Sequence, residues 1–411
     1  MKFKHMAVFT FCTLGLVACD KDALNKNYAP KPTAGETELA SQLDEKFFKQ
    51  IETAMDEIEV NKIWPGYNFK RTPMYLIRAT HTPSGDLKDA ESAYIINPYA
   101  NISSTHTLGK NEAGSLHIVK YEEGMQVAAD KLKSDGANSR FIFHYPIQGK
   151  KYYLQTFEKS AVEIDNVLYS SDAGFAVHEA FHNYQSVHFK ENPTAEQLNP
   201  MDSAQLAKYP LNLATLTTQV YLLDMFKGYP DSPGNTSKAT ALSVLEKYVA
   251  VVESILEADK PMEHKSSLIY RHGLNQERGE GTAKYVDALV ERKLLPIYKN
   301  KKFIDNVPLA MDTPHNNINL ATKLRNRNDV INYFAFESFY GSGASIVFLL
   351  NKTGYDFKKI EQGTIPYQAA FDVVKLDEMA RKDLLRDIMA SDEWHEAQVA
   401  ARRYEKLLSI N

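Results

Sequence analysis

Apolar residues recur along this chain at helical spacing, then at the alternating spacing of strands, and finally at helical spacing again. Leu39, Leu43, Phe47, Phe48, Ile51, Met55 and Ile58 fall every three to four positions and predict an amphipathic helix. Met74 to Ala79, Ala93 to Ile96, Ser115 to Tyr121, Arg140 to Tyr145 and Tyr152 to Phe157 are rich in β-branched and aromatic residues and bounded by Gly, Pro, Asn or Asp. They predict strands, with one helix from Gly124 to Lys133 among them. After Ile164 the helical period takes over. It predicts helices near Ala173–Phe189, Ala204–Lys227, Ser237–Ala258, Gln276–Lys293, Asn328–Phe336, Ser342–Lys352, Leu376–Met389 and Asp392–Leu408, with a turn at Tyr229–Asn235. Strands first and helices afterwards predict an α+β protein, with an α+β lobe over residues 37–165 and a mainly helical lobe over 166–411.

Composition narrows the function classes. Apolar residues make up 44% of the 411 and charged residues 24%, the mix of a globular protein able to bury a core without disulfide staples. The net charge is −4 and the basic residues form no stripe, which argues against a nucleic-acid partner. The first residues read as a targeting segment. Lys2, Lys4 and His5 precede an apolar run from Met6 to Ala18 that is too short to span a membrane as a mature helix. The run ends Leu16-Val17-Ala18-Cys19, which resembles the lipobox of bacterial lipoproteins. That resemblance implies a signal peptide over 1–18, lipidation of Cys19, and a polar tether over 19–36 holding the protein to the cell envelope, facing the periplasm or the exterior. Cys12 would leave with the signal and Cys19 would carry lipid, so neither thiol catalysis nor cysteine ligation of a metal is expected. Without Lys2 and Lys4 the balance falls to −6, so the lipid and not a basic surface would be the membrane contact.

The strongest chemical signal is His178-Glu179-Ala180-Phe181-His182. Two histidines four apart on a helix share one face and can meet one metal ion from the same side. Glu179 lies between them, where it can take a proton from water that the metal has made acidic. The stretch from Ala173 to His188 contains no proline, and Phe175, Val177, Ala180, Phe181 and Tyr184 give it helix-compatible apolar faces.

Here the sequence resembles the zincin metallopeptidases, in which such a helix lies beneath a sheet whose edge strand pairs with the substrate. A catalytic zinc takes three protein ligands and keeps one position open. Glu280, in Glu277-Arg278-Gly279-Glu280-Gly281-Thr282-Ala283-Lys284-Tyr285, looks like the ligand of the E-G-x-A-x-Y signature of gluzincin-type families. Gly281 beside it would permit close helix approach. Glu277, one turn earlier, is the fallback ligand or a partner for a histidine. Lys284 stands where some gluzincins carry an acid, so another group must orient the histidine. His188 has the spacing of the metzincin third ligand, but Gln185 replaces the glycine that turns the chain there. A continued helix would leave His188 out of reach. Tyr340, ahead of Gly341-Ser342-Gly343-Ala344-Ser345, is the candidate donor to an oxyanion, with Tyr333 and His272 behind it. His81, His106, His117, His144, His264, His315 and His395 show no ligand spacing.

The resemblance implies a zincin-like fold and a zinc-dependent peptidase of the envelope acting on a peptide or protein. The alternative from another class is a non-catalytic lipoprotein that keeps such a fold as a binding or assembly factor. Glu179 argues for catalysis, because a structural zinc has no use for a base.

Overall fold

The computed structural model describes residues 42–82, 86–99, 106–107, 116–134, 140–158, 162–164, 167–169, 171–200, 202–226, 236–260, 263–294 and 324–410. The signal peptide, Cys19, the tether and the turn at Tyr229–Asn235 lie outside them. The fold is mixed α+β, and the described residues fall into two compact units. One draws on Met1–Val187 and Leu289–Ile297, the other on His188–Ala288 and Tyr298–Asn411.

The first unit is built on a sheet. Its strands are β1 (Met74–His81), β2 (Leu87–Ile96), the two-residue β3 (His106–Thr107), β4 (Ile118–Lys120), β5 (Phe141–Ile147) and β6 (Lys150–Glu158), ordered β3-β4-β2-β1-β6-β5. Only β1 and β6 run parallel. Alternation decides which residues face which layer. Tyr75, Ile77, Ala79, Ala93, Ile95, Tyr152 and Leu154 form one core with Ala128, Ala129 and Leu132 of α2 (Met125–Ser134). The residues between them face the other way. There Phe157 stacks on Phe47 of α1 (Gln42–Asn61) at 4.3 Å, and Phe48 meets Tyr94 edge-on at 4.9 Å. Asp44 of α1 is fully buried on that face, where Arg78 of β1 and Tyr94 of β2 both donate to it.

All five expected strands and the helix among them are present. A short hairpin that the pattern does not announce, β7 (Val162–Ile164) with β8 (Val167–Tyr169), leads from β6 to α3 (Ser171–His188). The start of α3 is tied to the sheet. Gln155 donates to the Asp172 carbonyl at 2.9 Å, and the Asp172 carboxylate accepts from the Glu158 amide at 2.8 Å and from Arg140. Further along, Phe181 of α3 packs edge-on against Trp64 and Tyr67, at 5.2 and 4.9 Å between ring centroids.

The second unit is helical: α4 (Ser203–Leu206), α5 (Leu213–Phe226), α6 (Lys238–Asp259), α7 (Leu274–Leu294), α8 (Arg327–Asn332), α9 (Ser338–Thr353), α10 (Lys358–Glu361), α11 (Pro366–Val374), α12 (Glu378–Met389) and α13 (Asp392–Leu408). The single helix expected over Ala204–Lys227 is two. Pro210 has no N–H to give and keeps Tyr209 out of helical geometry, so the chain stops after Leu206. It restarts at Leu213, where the Asn212 side chain accepts from the Thr215 amide at 3.0 Å. Conversely, α8 and α9 are not separated by a loop, because a wide π-turn at Tyr333–Glu337 carries one into the other. Glycines 341 and 343 are therefore helical. The resulting run Arg327–Thr353 is long and apolar enough to cross a membrane, yet 78% of its most apolar window is buried inside the protein, which makes it a core helix. The segment with Pro366 at its first position is a further helix, α11, that the periodicity left unassigned.

The tightest packing in this unit is the crossing of α7 and α9. A Cβ on Gly343 would lie 2.5 Å from the Glu277 carbonyl oxygen, and one on Gly281 would lie 2.5 Å from the Gly343 Cα. Main chain meets main chain, so neither side can yield by turning a rotamer. Gly343→Ala is therefore expected to destabilise the protein by about 1–3 kcal/mol, the usual cost of overpacking. Thermal unfolding of the two proteins measures it, and an unchanged midpoint would contradict so close a crossing.

Candidate metal centre

Helix α3 is buried along nearly its whole length, which is unusual for a segment carrying two histidines and a glutamate. His178 is 6% and Glu179 3% exposed, and His182 is half-buried. The four-residue spacing turns both imidazoles to one side, and their Nε2 atoms stand 3.1 Å apart. What fixes His182 in this pose is Gln185, one turn on and fully buried, whose side-chain oxygen accepts from His182 Nδ1 at 2.6 Å. That bond places the proton on Nδ1 and leaves Nε2 bare, the state in which an imidazole ligates a metal. Lys284, four residues after Glu280, is paired with Asp287 at 3.0 Å. Gln185 is thus the residue that orients the histidine. Its spacing, i to i+3 on one helix, was the available signal.

The third expected residue joins the pair. Ligand atoms of His178, His182 and Glu280 all lie within 4.8 Å of one another, and this cluster could hold a metal ion. Four-coordinate zinc with bonds of about 2.0–2.1 Å sets neighbouring donor atoms about 3.3 Å apart, so the histidine pair is spaced for one ion. Two imidazoles and one carboxylate are also a donor set that zinc accepts with one position left over. The residues fit the ion.

Glu179 sits on α3 between the two histidines. Its charge adds to the effect of burial in pushing the Tyr153 hydroxyl of β6 far above its ordinary pKa. Gly174 clears the way for α7 near the start of α3, since a Cβ there would collide with the Glu291 carboxylate.

Glu280 is 5% exposed on α7. Around it the helix is held from several directions. Arg278 buries its guanidinium over the Phe189 ring and donates to the carbonyls of Ile360 and Lys190 at 2.9 and 2.8 Å. Burial without a carboxylate partner among these contacts pulls its pKa down to about 10. Glu277 is not a ligand of the cluster. It is 2% exposed, and its two carboxylate oxygens accept from Tyr248 at 2.6 Å and Ser342 at 2.7 Å. Burial outweighs those two bonds and raises its pKa to about 7.

The remaining candidates fall outside the cluster. His188, at the end of α3, belongs to no such group among the described residues. His272 is fully buried, with both ring nitrogens engaged: Nδ1 accepts from the Leu198 amide at 3.3 Å and Nε2 donates to the Ala335 carbonyl at 2.7 Å. It is a structural residue that bridges one π-turn, Ile269–Gly273, to the other. Such turns leave main-chain carbonyls seeking donors. Gln219 serves Phe334 in the same way, at 2.8 Å. Tyr333 is buried in the second π-turn, and Tyr340 is half-buried in the first turns of α9, edge-on to Phe336 at 5.6 Å.

Replacing Gln185 by Leu keeps the volume and removes the acceptor. Metal affinity is expected to fall roughly 10–100-fold, as for other outer partners of ligating histidines. Isothermal titration with zinc checks this, and an unchanged affinity would show that His182 needs no orienter.

Comparison with known proteins gives no match: no family model, curated protein or solved structure is significantly similar to this chain.

Proposed function

We propose that the chain is a zinc-dependent peptidase in which His178, His182 and Glu280 hold the ion and Glu179 is the general base. The observation that carries this reading is the cluster itself, a two-histidine, one-carboxylate donor set assembled around the residue a hydrolase needs between its ligands. Bound zinc supplies a Lewis acid that acidifies water and polarises a carbonyl. Glu179, buried beside the cluster, accepts the proton of the attacking water and returns it to the departing amine. Gln185 keeps the His182 ring from turning while this happens. Tyr340 is proposed as donor to the developing oxyanion.

A peptide is favoured as the substrate by the sheet. β5 ends the strand order, beside β6. Its Phe141 packs on Phe175 of α3 at 5.5 Å, and its His144 bonds Asn183, the residue after His182. A strand at the sheet's end, lying along the helix that bears the histidines, offers main-chain groups to an extended chain. The proposal includes anchoring to the cell envelope through lipid on Cys19.

Elemental analysis of the purified full-length chain is expected to find near-stoichiometric zinc in the wild type, in His188→Ala and in Glu179→Gln, and none in Glu280→Ala. Glu179→Gln should cleave no member of a peptide library that the wild type cleaves, and Tyr340→Phe should cleave more slowly at unchanged KM. A wild type that takes no zinc after reconstitution, or that takes iron instead, would overturn the reading.

A further inference from the structure

We propose that Glu277, Tyr248 and Ser342 form a positioning clamp that sets the rotation of α7 and thereby the direction in which Glu280 presents its carboxylate. The inference rests on the reading of Glu280 as a metal ligand and adds three residues that do not touch the ion.

The two glutamates are one turn apart. On an α-helix, residues three apart are separated by about 60° around the axis and about 4.5 Å along it. What fixes the azimuth of one therefore fixes the other. A ligand atom about 6 Å from the helix axis moves about 1 Å when the helix turns by ~10°. Metal–ligand distances tolerate only about 0.2 Å. A small freedom of rotation in α7 would thus spoil the coordination, and something must remove that freedom.

The glycine crossing alone does not. The Gly281–Gly343 crossing brings α7 against α9 main chain to main chain, which sets separation. But glycines have no side chains to interlock, so they offer little resistance to a helix turning in place. Arg278 resists such turning through its bonds to the Ile360 and Lys190 carbonyls, and Glu277 resists it on the side that faces α6 and α9. Its Oε2 accepts from Tyr248 on α6 and its Oε1 from Ser342 on α9, at 2.6 and 2.7 Å. One hydrogen bond would allow a pivot, whereas two from different helices locate the carboxylate by triangulation.

The cost of the arrangement points the same way. Burying a carboxylate is unfavourable unless donors compensate it, and an apolar residue would serve stability as well or better. Glu277 also borders a cavity of about 30 Å³, lined in part by Thr218, Gln219 and Ser338, so packing is incomplete on that side of it. That space is enough for a water or two. The hydrogen bonds are what keep the side chain in its pose.

The test is cobalt(II) binding to the full-length chain, followed by the visible absorption of the bound ion, with circular dichroism confirming that each variant is folded. Glu277→Ala and the double variant Tyr248→Phe/Ser342→Ala are expected to bind roughly 10–100-fold more weakly and to show an altered ligand-field spectrum. Glu277→Gln, which keeps the shape and reaches both hydroxyls, accepting from one through its oxygen and donating to the other through its NH2, should stay close to wild type in affinity and spectrum. The clamp is refuted if the alanine and double variants bind as wild type does. It is also refuted if Glu277→Gln loses as much as Glu277→Ala, since the charge and not the position would then be what matters. If Glu277→Ala does not fold, the double variant decides. A wild type that takes no cobalt, or a Glu280→Ala that takes it equally well, fails the metal reading itself and is told apart from failure of the clamp by those two proteins alone.

Discussion

A helix enclosed by protein can carry charged and polar side chains only if each finds a partner, and most of this structure follows from meeting that condition in α3 and α7. The first is buried almost throughout and brings Asp172, His178, Glu179, His182 and Gln185 inside. The second brings Glu277, Arg278, Glu280, Asp287 and Glu291. Desolvating so many ionisable groups costs more than their packing returns, so each has to be offset by a specific contact. Asp172 is met by Arg140 and the Glu158 amide, Arg278 by three carbonyls, and Glu277 by two hydroxyls. The fold is arranged so that helices and strands arrive where those partners are needed.

The same requirement bears on how the residues of the candidate metal cluster are held. His182 is oriented by a glutamine on its own helix, a local device that needs only the helical repeat. The helix that carries Glu280 is held by bonds to segments distant in sequence, through Glu277 to α6 and α9 and through Arg278 to the Ile360 carbonyl. The two halves of the donor set are therefore held by different physics, one by helix geometry and the other by tertiary hydrogen bonds.

Glycine does opposite work in α3 and α9. Gly174 makes room for a carboxylate, Glu291, while Gly343 makes room for the main chain of another helix. The expected helices Asn328–Phe336 and Ser342–Lys352 left a break that includes Gly341, with Gly343 just inside the second helix. In the structure the helix runs through them, because the propensity lost at two glycines is small beside the burial gained along a 27-residue apolar run.

The sequence by itself determined every element with a strong period. That covers strands β1, β2, β4, β5 and β6, the helices α1, α2, α3, α6, α7, α12 and α13, the α+β order, and the pairing of His178 with His182, whereas Glu280 was reached through the family resemblance. These were legible because burial imposes a repeat of two on a strand and 3.6 on a helix, and because ligands four apart on a helix must share a face. The tertiary structure alone decided the rest. The break at Pro210, the π-turns before α7 and α9, and the β7–β8 hairpin are too short or too local to leave a period. That Gln185 orients a histidine, that His272 braces two turns, and that Glu277 faces Tyr248 and Ser342 depend on which polar atoms meet after folding. Residue type and spacing state what a side chain is able to bond, whereas the partner it finds is set by packing between segments distant in sequence.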